Sequence, residues 1–228
     1  MKRLIVLLGA VGVSASAILV RWSTAPSLVL VLYRSAIASL ILTPYVLLRH
    51  RRELFAIRRR ELLLCLASGV FLGLHFAAYF ESLRHTTIAA AVVLVDTEVF
   101  FVALGSVLFL RQRLSKRAWT AIAVTFVGSV MVAAAGAGGG GNALWGNLLA
   151  LSGALFMTGY TVIGVICRRT LSNTVYTYFV YWTSALTVLV LALASGTPLT
   201  VTEPSTSPRL LPWRCCAPCW ATAYSTGR

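Results

Sequence analysis

The hydrophobic residues of this chain fall into seven long runs that are separated by short polar stretches. Each run is about 17 or more residues long, which is enough for an α-helix to cross the roughly 30 Å hydrocarbon core of a bilayer. The predicted spans are residues 4–20, 27–48, 62–80, 88–110, 119–135, 144–166 and 175–194. The pattern therefore predicts an all-α, polytopic membrane helix bundle with about seven transmembrane helices.

Composition supports lipid as the solvent of these helices. Of the 228 residues, 58% are hydrophobic and 11% are charged, whereas about a quarter of the residues of a soluble domain are charged. The first run follows a basic start and contains small residues at 14–17, as a cleavable signal peptide would. Because the apolar run continues through Val20, we interpret it as a retained first helix.

The formal net charge of +14 is concentrated in alternate connections between the runs. The connections on one side carry 14 basic residues, namely Lys2, Arg3, Arg49, Arg51, Arg52, Arg58, Arg59, Arg60, Arg111, Arg113, Lys116, Arg117, Arg168 and Arg169. Those on the other side carry two, Arg21 and Arg84. Basic loops face the cytoplasm, so we expect a multi-pass inner (plasma) membrane protein with a cytoplasmic N-terminus. Nucleic acid is not an expected partner, because no basic stripe is interleaved with aromatic residues.

Three charged residues lie within the predicted spans. Arg34 is near the start of the second span, and Asp96 and Glu98 are near the middle of the fourth. A charge at the bilayer centre costs about 2.5–3.5 kcal/mol on insertion scales, so such residues usually face a cavity or a partner. Our hypothesis is that these three residues line a substrate pathway. Asp96 and Glu98 are two positions apart and therefore point to nearly opposite faces of their helix, so we expect Arg34 to meet only one of them. Alternatively, Arg34 snorkels to the interface, and the carboxylates form a structural ion pair or mark an exposed kink.

Polar aromatic residues are further candidates for the pathway. His75 and Tyr79 share one face of the third span and would bind substrate or relay a proton, although ordinary interhelical hydrogen bonding explains them equally well. Tyr160 in the sixth span completes the candidate set. Aromatic residues of membrane helices more often pack in the bundle or lie at the membrane interface than bind a ligand. This interpretation applies to Tyr160 and equally to Tyr176, Tyr178, Tyr181 and Trp182.

Motifs for enzymatic chemistry, metals or cofactors are missing. There is no HExxH or GxSxG motif, and the three histidines belong to different segments. The glycine run at 136–141 lacks the Lys and Ser or Thr that close a phosphate-binding loop. Cys216-x-x-Cys219 has no second ligand pair and no βαβ pattern beside it. We therefore expect a transporter, with no catalytic residue, metal or cofactor. The alternative is a membrane-embedded receptor or scaffold. The lack of a sizeable soluble domain argues against a receptor.

The order of local motifs resembles a known family. The motifs are Phe-Ala-Ala-Tyr-Phe at 76–80, Ser-Leu-Arg at 82–84, small residues at 89–91, Phe-Leu-Arg-Gln-Arg-Leu-Ser at 109–115, Trp119 and Gly128, preceded by Arg34 and Pro44 in the second span. This order resembles the EamA-like branch of the drug/metabolite transporter superfamily. Two departures are Arg111-Gln112-Arg113, where the family usually has Gly-Glu-Arg, and the lack of the expected Pro near Val99.

The resemblance implies a ten-helix design built from two inverted five-helix repeats. Residues 1–135 would form the first repeat, 136–143 a glycine-rich linker, and 144–194 the first two helices of the second repeat. Inverted repeats usually place the substrate site at their interface. The family moves small organic solutes such as metabolites, amino acids or toxic compounds, often by export against a proton gradient.

The tail from 195 to 228 does not fit this design. The tail is polar and basic. If its cysteine-rich stretch is back-translated into codons and read two bases later, the new frame permits an apolar sequence around a Gly-His pair. That sequence resembles a helix of the family. We therefore expect an aberrant, non-membrane tail produced by a frameshift, with three helices of the design missing. The sequence leaves open whether the shortened chain is an active or an inactive transporter. The uncovered faces of the last two spans would then meet lipid or a partner, and a homodimer would cover them.

Overall fold

A computed structural model describes residues 23, 25–111, 113–136 and 143–199. The first predicted span, most of the glycine-rich linker and the tail after residue 199 lie outside the described residues. Within those ranges every regular element is an α-helix. The helices are α1 (Ser27–Arg49), α2 (Arg51–Phe55), α3 (Arg59–His85), α4 (Ile88–Asp96), α5 (Glu98–Leu110), α6 (Lys116–Gly136), α7 (Ala143–Cys167) and α8 (Asn173–Ala194).

Among the residues that the structure describes, five segments are long and apolar enough to cross a membrane. They are α1, α3, the combined segment Ile88–Leu110, α7 and α8, and α6 covers the fifth predicted span. Many outward positions on these helices are apolar; Ile41 is 71% exposed and Val124 is 73% exposed. Apolar side chains on the outside of a bundle are expected when lipid surrounds it. The prediction of an all-α, polytopic membrane bundle is therefore confirmed.

The fourth predicted span is divided into two helices at Thr97. Its hydroxyl donates to the Leu94 carbonyl at 2.6 Å and its backbone N–H bonds the same oxygen at 3.2 Å. This three-residue turn replaces the usual four-residue bond, and a threonine that bonds back to its own helix commonly bends it. Asp96 thus ends α4 and Glu98 begins α5.

Helix α3 lies at the centre of the described bundle and packs against α1, α7 and α8. Small residues allow this close packing: a Cβ atom added to Gly69 would lie 2.5 Å from the Thr183 Cβ on α8. On α7, a Cβ added to Gly146 would lie 2.8 Å from the Thr86 backbone nitrogen at the end of α3. Glycines thus bring helix backbones close together, as small residues do in membrane bundles.

Arg84 shows which helix ends lie together. Its Nε donates to the Ser27 hydroxyl at 2.5 Å, and its guanidinium also donates to the Ala25 carbonyl. The start of α1 therefore meets the end of α3. Because α4 begins two residues after α3 ends, its start belongs to the same end of the bundle.

Candidate functional site

Three of the candidate residues lie at about the same depth in the bundle. Counted from the shared end at 1.5 Å per helical residue, Arg34 is about 10 Å along α1, Tyr79 about 9 Å along α3, and Asp96 about 12 Å along α4. These distances are about a third of the roughly 30 Å thickness of a hydrocarbon core. Their helices differ, yet their polar groups occupy one layer.

Arg34 contacts an aromatic ring and no carboxylate within the described residues. Its guanidinium carbon lies 4.2 Å from the centroid of the Phe76 ring, which is a cation–π contact. The ion pairs among described residues are both His–Glu pairs within single segments. The predicted meeting of Arg34 with Asp96 or Glu98 is therefore not observed as an ion pair.

The direction of the Arg34 side chain speaks against snorkelling. Phe76 lies about 13 Å from the shared end of the bundle, at 1.5 Å per residue along α3. A guanidinium that rests on this ring lies no closer to the interface than its own backbone. Arg34 is exposed on the described bundle, and its charge lies against the Phe76 ring.

His75 and Tyr79 form one stacked unit on α3. Their rings are 6.2 Å apart and 17° from parallel. His75 is buried, and its Nδ1 lies 2.9 Å from the Gly153 carbonyl oxygen on α7. A carbonyl only accepts, so Nδ1 carries the proton and donates it. The alternative of interhelical hydrogen bonding is therefore observed for His75, which ties α3 to α7.

Tyr79 lies within electrostatic range of both Arg34 and Asp96. Arg34, His75, Phe76, Tyr79 and Asp96 are called the Arg34 cluster below. The cluster combines one cation, one carboxylate and three rings on three helices.

Asp96 and Glu98 flank the break between α4 and α5. Asp96 is exposed and Glu98 is half-buried. Neither carboxylate has a Lys, Arg or His within 4 Å in the described portion of the chain. Of the two structural alternatives for these residues, a break in the helix is observed beside them, and an ion pair is not observed among the described residues.

Tyr160 lies apart from the Arg34 cluster. It is about 25 Å along α7 at 1.5 Å per residue, and its ring stacks on that of Tyr176 at 6.2 Å. The Tyr160 carbonyl accepts hydrogen bonds from the Tyr176 hydroxyl and from Ser68, both at 3.4 Å. Tyr181 lies within electrostatic range of both Tyr160 and Arg34.

Sequence reasoning missed two residues of this arrangement. Phe76 is apolar, and its only signal is that it lies three residues before Tyr79 and so on a neighbouring face of α3. Tyr181 is assigned to packing by the sequence, together with its aromatic neighbours. Both are recognisable only once the helices are packed.

At the arginine-rich end, Glu53 joins α2 to the start of α8. Its carboxylate accepts from the Ser172 backbone N–H at 2.5 Å and lies 3.3 Å from His50 Nδ1. Burial, the largest single influence, opposes ionisation of Glu53. The hydrogen bonds from Ser172 and His50 together outweigh burial and lower the pKa of this carboxyl below its ordinary value.

The described residues contain no group of three or more metal-ligating side chains. Cys65 on α3 and Cys167 on α7 are buried free thiols in one apolar cluster. The Cys216-x-x-Cys219 motif lies outside the described residues.

Comparison with known proteins gives a consistent result. A profile of the EamA-like transporter family matches residues 2–134. Proteins named pseudopaline exporter, from Pseudomonas aeruginosa strains UCBPP-PA14 and PAO1, are each 32% identical to this chain over 110 residues. The aligned region covers 48% of this chain and 37% of each relative. The family match includes the whole Arg34 cluster.

Proposed function

The chain belongs to the EamA-like transporter family, and on that premise we propose that it exports a small organic solute across the membrane by alternating access. The observation that carries the proposal is the layer of unpaired charge in the Arg34 cluster. Each charge at this depth costs up to about 2.5–3.5 kcal/mol, and no ion pair among the described residues offsets the cost. Charges retained in this way usually belong to a solute or ion pathway.

The proposed pathway is lined by Arg34, His75, Tyr79, Asp96 and Glu98, and continues to Tyr160. Arg34 and Tyr79 contact the solute, while His75 holds α3 against α7 through Gly153. Tyr160 and its stacked partner on α8 line the end nearer the arginine-rich connections.

Proton coupling is assigned to Glu98. This carboxylate is half-buried at the α4–α5 break, where no described basic residue holds it ionised. Discontinuous helices are a common location of coupling sites in transporters. A carboxylate that gains and loses its proton there would link the two helix segments to the proton gradient.

The proposed domain division has residues 1–135 as the first repeat, 136–143 as the linker, and 144–194 as the start of the second. Helix α3 would then face α7 and α8 across the repeat interface, where inverted-repeat transporters usually bind solute. The hydrogen bond from His75 to Gly153 crosses this interface. The name of the matched relatives supports export as the direction of transport.

The test is solute loss from proteoliposomes that contain the purified chain and a mixture of metabolites and amino acids. Loss is measured by mass spectrometry with and without an imposed pH gradient. We expect gradient-dependent loss of at least one solute, and a decrease of about tenfold in Arg34→Gln and Glu98→Gln, which corresponds to about 1.4 kcal/mol.

The matched control is Glu61→Gln, which changes a carboxylate outside the proposed pathway. Glu61 accepts a hydrogen bond from the Arg58 backbone N–H at 3.1 Å at the exposed start of α3. No loss of any solute, or equal rates in all variants, would contradict the proposal and favour a receptor or scaffold.

A further inference from the structure

We propose that the cleft where α1 meets α2 binds the phosphate group of an anionic phospholipid. The cleft has a volume of about 400 Å³ and lies around the break between these two helices. Its lining residues are Leu48, Arg49, His50, Arg51, Arg52 and Glu53. The site lies outside the proposed solute pathway, so the inference does not depend on transport by the chain.

The length of α1 puts the cleft at the level of the lipid headgroups. Helix α1 has 23 residues, which is about 34 Å at 1.5 Å per residue. The hydrocarbon core of a bilayer is roughly 30 Å thick. An α1 that crosses this core therefore carries Arg49, its last residue, to the boundary between acyl chains and headgroups.

The charge of the cleft favours an anion. Arg49, Arg51 and Arg52 are exposed, and the ion pairs among the described residues involve none of them. One acidic residue, Glu53, lines the same cleft, and its carboxylate accepts from the Ser172 backbone N–H at the start of α8. Three guanidinium groups outnumber this single carboxylate, so the cleft keeps a net positive charge. Guanidinium donors can bind two phosphate oxygens at once.

Exposed apolar side chains beside the arginines favour a lipid over free phosphate. Leu48 is 84% exposed and Phe55 is 74% exposed. The guanidinium carbon of Arg51 lies 6.0 Å from the centroid of the Phe55 ring. Arginine beside Phe and Leu is typical of helices that lie in a membrane interface. A phospholipid carries its phosphate next to acyl chains and can contact both kinds of side chain, whereas inorganic phosphate would contact only the cations.

The cleft is held in shape by contacts that need no ligand. The His50 backbone N–H donates to the Val46 carbonyl at 2.8 Å, and the His50 carbonyl accepts from the Leu54 N–H at 2.9 Å. The His50 ring lies 5.9 Å from the Tyr45 ring and its Nδ1 lies 3.3 Å from a Glu53 carboxylate oxygen. A site that is already ordered loses less conformational entropy when it binds.

The experiment measures Tm of the purified full chain in an uncharged detergent. The probes are phosphatidylglycerol, phosphatidylcholine with the same acyl chains, and glycerol 3-phosphate. We expect phosphatidylglycerol to raise Tm to a plateau. Phosphatidylcholine should need at least a tenfold higher mole fraction for the same rise, because its headgroup has no net charge. Glycerol 3-phosphate at the same total concentration should give no rise, because it has no acyl chains.

Variants assign the binding to the cleft. The double variant Arg51→Gln with Arg52→Gln should need at least tenfold more phosphatidylglycerol for half of the plateau. The matched control is Arg60→Gln with Arg117→Gln, which removes the same charge from exposed positions outside the cleft and should bind within about twofold of the wild type. Phe55→Ser should weaken binding several fold without changing the charge.

Three results would overturn the proposal. Equal midpoints for phosphatidylglycerol and phosphatidylcholine would contradict recognition of an anion. Equal losses in the two double variants would show a diffuse attraction to all arginine-rich connections in place of a site. A rise in Tm with glycerol 3-phosphate as large as that with the lipid would show a site for a soluble phosphate. Circular dichroism checks the fold of each variant, and the single variants Arg52→Gln and Arg117→Gln carry the comparison if a double variant unfolds.

Discussion

Replacing Gly69 by alanine should separate α3 from α8. A Cβ atom at position 69 would lie 2.5 Å from the Thr183 Cβ and 2.8 Å from the Val180 carbonyl oxygen. Both distances are far shorter than the contact distance between such atoms. The Val180 oxygen belongs to the backbone and the Thr183 Cβ is attached directly to the backbone, so neither atom can rotate away. The two helices must move apart or bend.

The expected cost follows from measured overpacking of protein interiors, which is about 1–3 kcal/mol for an added methylene. The gain in helix propensity from Gly to Ala, up to about 1 kcal/mol, offsets some of this cost. Gly73 makes a looser contact, with its added Cβ 3.0 Å from the Thr187 Cβ. Gly73→Ala should therefore destabilise less than Gly69→Ala.

Gly128 provides the matched control, because a Cβ there would have no neighbour within 4 Å in the described residues. Gly128→Ala should be neutral or slightly stabilising. The assay is unfolding in mixed micelles with increasing SDS, followed by far-ultraviolet circular dichroism. Equal midpoints for Gly69→Ala and Gly128→Ala would refute the close approach of α3 and α8 on which the fold depends.

Two further predictions test contacts elsewhere in the bundle. Glu53→Gln should lower stability by about 1 kcal/mol at neutral pH, because it weakens a charge-assisted hydrogen bond, whereas Glu81→Gln, in an exposed pair with a histidine one turn away, should have little effect. Because the pKa of Glu53 is lowered in the folded state, its stabilising effect should be full above about pH 4.3 and be lost as the pH falls through that lowered pKa; an unchanged difference at acid pH would contradict this. Cys65 and Cys167 are buried in one apolar cluster, so a water-soluble thiol reagent should label neither of them in a folded chain whose other cysteines are serine; labelling of either thiol before unfolding would contradict the packing of α3 against α7.

The positions of the membrane helices are largely predictable from hydropathy. A helix in lipid must satisfy its backbone hydrogen bonds internally, so a long apolar run has few structural options. The spans predicted at 144–166 and 175–194 correspond to Ala143–Cys167 and Asn173–Ala194. Helix α3 begins at Arg59, three residues before its predicted span. Hydropathy locates only the apolar part of a helix, whereas the helical hydrogen bonds of the backbone continue through the charged first turn that precedes it.

The break at Thr97 is not predictable from hydropathy in the same way. Both halves of the segment are strongly apolar, and no proline marks the division. A side-chain hydroxyl bonds to Leu94 within its own helix at this point, but Thr183 and Thr187 make the same kind of bond without ending α8. The unusual pair Asp96 and Glu98 marks the position, and a kink is one of the interpretations that the sequence allows.

The composition of the site is partly predictable and its pairing is not. The cost of charge in lipid identifies Arg34, Asp96 and Glu98 from position alone. Which side chains face each other depends on how α1, α3 and α4 pack, and that packing is set by small residues whose contacts a single sequence does not reveal. Sequence reasoning misses Phe76 as the partner of Arg34 for this reason.

The central claim is that Arg34 faces a water-filled pathway and not lipid. The most direct test is the rate at which a small water-soluble thiosulfonate, added to both sides of the membrane, labels Arg34→Cys in a chain whose five native cysteines are replaced. Ile41→Cys, at a position 71% exposed on the same helix, is the comparison for lipid, where a thiol cannot ionise and react. We expect Arg34→Cys to react at least tenfold faster; equal rates at the two positions would contradict the account.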